Sequence, residues 1–214
     1  MRLDACLEEE LELLKLESEK LEEWIDFAIF APEKLEKAQA GYSVDPAGRS
    51  LITGEEGDWQ PEWIVIGYTK LIGDPIIIDT NEEGQPVSYL MHGMGEWGAG
   101  SYIAGSIKQL RDALAKVMKF MKSHLEHSNS PITRAELNIL VSDIVGADEY
   151  ADSDTWEMLL EPIYQLAEDQ EERVTEQIRA MSEQGLQIKE IADRLEIPLT
   201  QVYDYLKKIK TSQI

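Results

Sequence analysis

Gly93-Met94-Gly95-Glu96-Trp97-Gly98 is a segment of this 214-residue chain whose spacing invites chemistry. It spells the G-x-G-x-x-G pattern that brings a backbone close to a pyrophosphate at a helix N-terminus. That use needs a βαβ unit whose second strand ends in an acidic residue about 20 positions on. Residues 113–122 carry a helical pattern instead, and no strand-like run follows them. The glycines therefore read as a tight turn from strand to helix. Asp74 and Asp79 would be a carboxylate pair for acid–base or metal work. Asp74, however, sits in a Gly-Asp-Pro turn and Asp79 closes a strand-like run, so both read as structural. His124 and His127 stand three apart at a helix end, a spacing that favours the helix dipole but needs a third ligand to hold a metal. With His92 that completes the histidines, and no H-E-x-x-H pattern, nucleophile elbow, P-loop lysine or cysteine–histidine pair accompanies them. The expectation is a chain with no catalytic residue, metal or cofactor, and not an enzyme.

What remains is recognition. Trp59, Trp63 and Trp97, with Tyr68, Tyr89 and Tyr102, crowd one region. Such rings either fill a modest core or serve as rigid anchors for another protein. Trp59, Trp63, Trp97 and Tyr102, with the acids Asp74 and Glu96, form the candidate partner-binding set.

The elements that would position them follow from periodicity. Leu7, Leu11, Leu14, Leu21, Ile25 and Ala28 step by threes and fours with only Ser18 interrupting, which predicts one amphipathic helix over residues 3–30, stopped before Pro32. Its apolar seam would pack on its own domain or on a second copy. Residues 41–57 are rich in Gly, Asp, Pro and Ser and read as loop. The runs at 63–68 and 75–79 flank Ile72-Gly73-Asp74 as a hairpin, and their continuous apolar character implies burial on both faces. A further strand is expected at 86–92, making an antiparallel meander. Ile103, Ile107, Leu110, Leu114, Val117 and Met121 then set a helical period. Two more helices are expected at 133–145, with Thr133 and Glu136 at capping-box spacing, and at 155–167.

Charge divides the chain. Its 42 acidic and 20 basic residues give −22 and a pI near 4.4. Residues 1–126 carry −12, residues 127–170 carry −9 and residues 171–214 only −1. This suggests an α+β domain at 1–126, with a largely antiparallel sheet flanked by helices. An acidic helical connector at 127–170 and an all-helical C-terminal extension at 171–214 would follow. So large a negative excess argues against wrapping nucleic acid as a whole and against an anionic membrane surface. It suits a basic partner. Cys6 alone makes no disulfide framework, no apolar run approaches the ~18 residues of a membrane span, and the acidic start is unlike a signal peptide. A cytoplasmic location is expected.

Trp59-Gln60-Pro61-Glu62-Trp63-Ile64-Val65-Ile66-Gly67 is followed by Gly73-Asp74-Pro75-Ile76-Ile77-Ile78-Asp79-Thr80 and by Pro86-Val87. His92-Gly93-Met94-Gly95-Glu96-Trp97 and Ile103-Ala104-Gly105-Ser106-Ile107 complete the order. This progression resembles the SUKH superfamily of fungal cell-wall-synthesis regulators and bacterial toxin-immunity proteins. The resemblance implies a curved antiparallel sheet backed by helices. It further implies a non-enzymatic protein-binding module, often one that neutralises a toxin; an acidic surface suits a basic toxin such as a nuclease.

Residues 188–210 resemble a helix-turn-helix. Ile191, Ala192 and Leu195 would face its core, Ile197 its turn, and Val202 and Tyr205 its second helix. Glu196 stands at the turn position where glycine is preferred. Leu199, Thr200, Gln201, Tyr203 and Lys207 would face a DNA groove, with Thr200, Gln201, Tyr203 and Lys207 as the contacting set. The alternative function is thus a transcriptional regulator that touches nucleic acid only through this tail; such folds also dock proteins.

Overall fold

The computed structural model describes residues 5–55, 57–91, 97, 101–127 and 131–211. Its class is α+β. Five strands, β1 (Phe27–Ile29), β2 (Trp63–Thr69), β3 (Pro75–Asp79), β4 (Val87–Tyr89) and β5 (Ser101–Ala104), form an antiparallel meander in chain order. Among the described residues the helices are α1 (Ala5–Glu19), α2 (Leu35–Ala38), α3 (Ile107–His127), α4 (Arg134–Val145), α5 (Ser153–Leu159), α6 (Glu161–Glu183), α7 (Ile188–Leu195) and α8 (Leu199–Thr211). The chain makes two compact units, Met1–Met118 with Leu140–Pro162, and Lys119–Ile139 with Ile163–Ile214. Both draw on the stretch that the charge pattern read as a connector.

The first unit is built round β3. Ile76, Ile77 and Ile78 are each at most 2% exposed, as their continuous apolar run predicts. On one face Ile77 joins Val65, Leu90 and Trp59 beneath the segment leading into β2. Helices also cover the sheet: α1 packs on β1, α2 on β2 and α5 on β5. Trp156 of α5 is fully buried and its Nε1 donates to the Ile103 carbonyl at 2.9 Å.

The helix expected over 3–30 stops at Glu19, and residues 27–29 form the edge strand β1. Backbone groups of the intervening stretch find partners elsewhere. Lys70 Nζ donates to the carbonyls of Glu22 (2.5 Å) and Ile25 (3.0 Å), Asp26 N–H donates to Leu159 O (2.7 Å), and Lys70 N–H donates to Asp26 O (3.1 Å). Ile25 N–H still donates to Leu21 O (3.1 Å), and from Asp26 onward long-range bonds replace the i→i−4 ladder. Ile25, Phe27 and Ile29 are buried alternately, the period of a strand. Residues 101–104, whose Ile103 fitted the helical series, form β5, and α3 begins only at Ile107. The helix expected at 155–167 is two: α5 ends at Leu159 and α6 restarts at Glu161. Pro162 has no N–H to give a continuing helix but fits a first turn. The strand expected over 86–92 is the shorter β4, Val87–Tyr89, and His92 lies outside the described residues. The 63–68/75–79 hairpin forms, and Thr133 N–H donates to Glu136 Oε2 (2.9 Å) while Glu136 N–H donates to Thr133 Oγ1 (3.3 Å), closing the capping box.

Strand β2 approaches its neighbour unusually closely at Gly67, where any Cβ would collide with the Ala28 carbonyl. Past the end of β1, the buried Gln39 side chain stands in for a strand. Its Oε1 accepts from Val65 N–H (3.1 Å) and its Nε2 donates to Val65 O (2.9 Å) and Leu35 O (2.9 Å). Gln39→Leu would leave these backbone groups desolvated and unpaired. Chemical denaturation should show a loss of roughly 2–4 kcal/mol with an unchanged denaturant slope.

Candidate functional site

The aromatic residues divide by depth. Trp59 is 1% exposed and lies at the centre of a ring cluster. Trp63 and Trp97 meet it edge-on at 5.6 and 5.1 Å, and Tyr42 lies tilted against Trp59 at 5.2 Å and edge-on to Trp97 at 5.5 Å. Trp59 Nε1 donates to Trp63 O at 3.3 Å. Asp74 is also buried, and its N–H donates to Thr69 Oγ1 at 3.0 Å. Burial takes Trp59 and Asp74 out of reach of a docking partner, and Trp59 supports the Trp63 and Trp97 rings packed against it. Trp63, Trp97 and Tyr102 keep surface in water. Glu96 lies outside the described residues, as do His92 and residues 93–95 and 98 of the glycine-rich turn.

Trp63 leads to a second group. Its Nε1 donates to Asp79 Oδ2 at 3.1 Å, while Asp79 Oδ1 accepts from Asn81 N–H at 2.9 Å. The Tyr102 hydroxyl donates to Glu82 Oε2 at 2.9 Å, and its ring meets Tyr150 edge-on at 5.0 Å. Partial burial first, then the Glu82 carboxylate, push the Tyr102 phenol up to about 12. The same carboxylate raises Tyr150. Half-exposed rings beside Asp79, Glu82, Glu83 and Glu149 can receive lysine or arginine side chains, pairing charge with carboxylates and stacking on ring faces. Glu82 and Tyr150 were not foreseen. Glu82 reads as turn filler, and Tyr150 lies some fifty residues away inside an acid-rich stretch, so only the pairing of segments reveals them.

Asp148 holds Tyr150 in place. Its carboxylate accepts from Gly105 N–H (2.8 Å) and Tyr150 N–H (3.0 Å), tying the end of β5 to the residues before α5. His124 Nδ1 lies 3.1 Å from Phe120 O and its Nε2 lies 3.5 Å from Glu136. Among the described residues, no three His, Cys, Asp or Glu side chains gather to hold a metal.

In the second unit, α6, α7 and α8 share a core of Ile178, Ile191, Ala192, Ile197, Val202, Tyr205 and Ile209, with Leu195 packed at its edge. Glu196 adopts φ 55°, ψ 35°, and its N–H donates to Ala192 O, the left-handed cap that glycine makes without strain. Of the groove-facing candidates, Thr200, Tyr203 and Lys207 are exposed. Gln201 is half-buried and turns into a groove of about 530 Å³ with Arg134, Glu171, Asp204 and Lys208. Lys207 lines that groove as well.

No family model, curated protein or solved structure matches this chain.

Two outcomes test this geometry. Because the Tyr102 phenol ionises well above its ordinary 10.0, its protonated form stabilises the fold fully below pH 10 and that contribution fades as pH rises towards 12. An ultraviolet absorbance titration should lose one high-pH tyrosine in Tyr102→Phe, and in Glu82→Gln should find it moved back towards 10. Glu196→Gly should stabilise the second unit by about 1 kcal/mol in thermal unfolding, since it relieves an L-residue of positive φ.

Proposed function

We propose that the chain is a non-catalytic protein-binding module of the SUKH type, toxin-neutralising or regulatory, whose first unit engages a basic protein. The observation that carries this reading is the placement of charge. The first unit holds 30 acidic and 10 basic residues, a net −20, while the second is nearly balanced at 12 and 10. An excess of twenty carboxylates persists however the ten cations are paired. Such a field draws cationic partners in and repels anionic ones.

The antiparallel meander, with helices packed against it, supports the reading by offering a rigid platform. Contact would centre on Trp63, Trp97, Tyr102 and Tyr150, flat rings beside carboxylates, which suit arginine-rich or lysine-rich surfaces. Trp59 would hold Trp63 and Trp97 from below. No helix among the described residues is long and apolar enough to cross a membrane.

Immobilised full-length chain should retain a protein of high isoelectric point, and the purified pair should associate at a rate that drops at least tenfold, roughly, between low and physiological salt. Alanine at Trp63 or Tyr102 should speed dissociation by about tenfold or more. A partner that is itself acidic, or an association rate indifferent to salt, would refute the reading.

A further inference from the structure

We propose a second binding activity, independent of the protein-binding reading: the exposed face of α8 binds double-stranded DNA. The shape comes first. The core shared by α6, α7 and α8 buries Val202, Tyr205 and Ile209 on one side of α8. The left-handed turn at Glu196 sets α8 off from α7, and the pair α7–turn–α8 is the arrangement that seats a second helix in a major groove. What α8 leaves outside is Leu199, Thr200, Tyr203, Asp204, Lys207, Lys208, Lys210 and Thr211.

Thr200, Tyr203, Lys207 and Lys210 recur at steps of three, four and three, and all four are exposed, Tyr203 by 57%. A hydroxyl, a phenol and two ammonium groups can meet base edges and phosphates, and the exposed Leu199 at the start of the helix can meet a thymine methyl. Gln201 lines the neighbouring groove and is half-buried, whereas Lys207 lines it too but is exposed.

Charge agrees with shape. Helix α8 carries three lysines against Asp204 and has no acidic residue in its first turn. Lys208 is held by Glu171 at 2.7 Å, whereas among the described residues Lys207 and Lys210 are not ion-paired. The unit that carries this face has a net charge of only −2, in a chain of −22. A second copy of the chain is a poorer occupant, because this face offers ammonium groups and hydroxyls rather than the continuous apolar surface of a stable dimer.

The test uses the full-length chain and a fluorescent duplex of about 30 base pairs, read by anisotropy at about 50 mM and 200 mM salt. Binding is expected at the lower salt and should weaken at the higher. Removing two phosphate contacts with Lys207→Ala plus Lys210→Ala should lower the salt slope by about 2 and weaken binding at about 50 mM by tenfold or more. Comparing slopes between variants cancels the uniform repulsion from the first unit. Tyr203→Ala should weaken binding while leaving the slope unchanged. All three side chains are exposed, so circular dichroism should be unaltered. Absence of binding at about 50 mM, or wild-type affinity in the double lysine variant, overturns the proposal. So does a dimer in light scattering that Tyr203→Ala dissociates, since the face then belongs to a second copy.

Discussion

Three consecutive isoleucines at the centre of β3 point alternately up and down, and water reaches neither side of them. A sheet organised round such a strand cannot leave a face wet, in contrast to many antiparallel sheets. Ile77 is covered by Trp59 and its neighbours, held by the loop-rich segment before β2. That segment needs no regular secondary structure to do this, because Asp45 organises its turns by accepting from the N–H groups of Ala47 (2.8 Å) and Arg49 (2.9 Å). The requirement to cover Ile77 therefore sets where the tryptophans lie. Trp59 fills the space, and Trp63 and Trp97, packed edge-on against it, keep one side in solvent.

Covering a sheet with loops creates a second problem, the backbone groups that such loops and short strands leave behind. The molecule solves it with side chains. Gln39 extends the edge of β2 beyond the three residues of β1, Lys70 takes up carbonyls after α1, and Asp148 receives amides from two segments. Each of these is a polar group whose worth comes from partners far away in sequence. The burial of Gln39 and Asp148 makes their removal costly in a way that composition does not advertise.

That distinction explains what could be read in advance. Features fixed by neighbours in sequence were legible: the β2–β3 hairpin, the Thr133–Glu136 capping box, and the apolar positions of α7 and α8. The edge strand β1 was not, because Ile25 and Ala28 also satisfy a helical step, and the choice between periods is made by Gly67 and Lys70, some forty residues on. β5 was hidden likewise, with Ile103 lying one turn before Ile107. The site was legible by residue type and not by depth. Trp59 and Trp63 are indistinguishable in a list of tryptophans, yet one is core and the other surface. Glu82 and Tyr150 come into view only when the β3–β4 turn and the stretch before α5 are brought together.

The two recognition chemistries proposed for this chain have opposite signs, and each depends on the charges at its own contact because electrostatic reach in salt is short. At physiological ionic strength the Debye length is about 8 Å, less than the width of a single helix with its side chains. A carboxylate field on the first unit is felt strongly by whatever touches that unit, and the proposed duplex contact rests on the groups of α8. The contact itself is governed by the local pattern of three lysines to one aspartate along α8, not by the total of −22. Net charge describes how a partner arrives; the sign of the few groups it meets decides whether it stays.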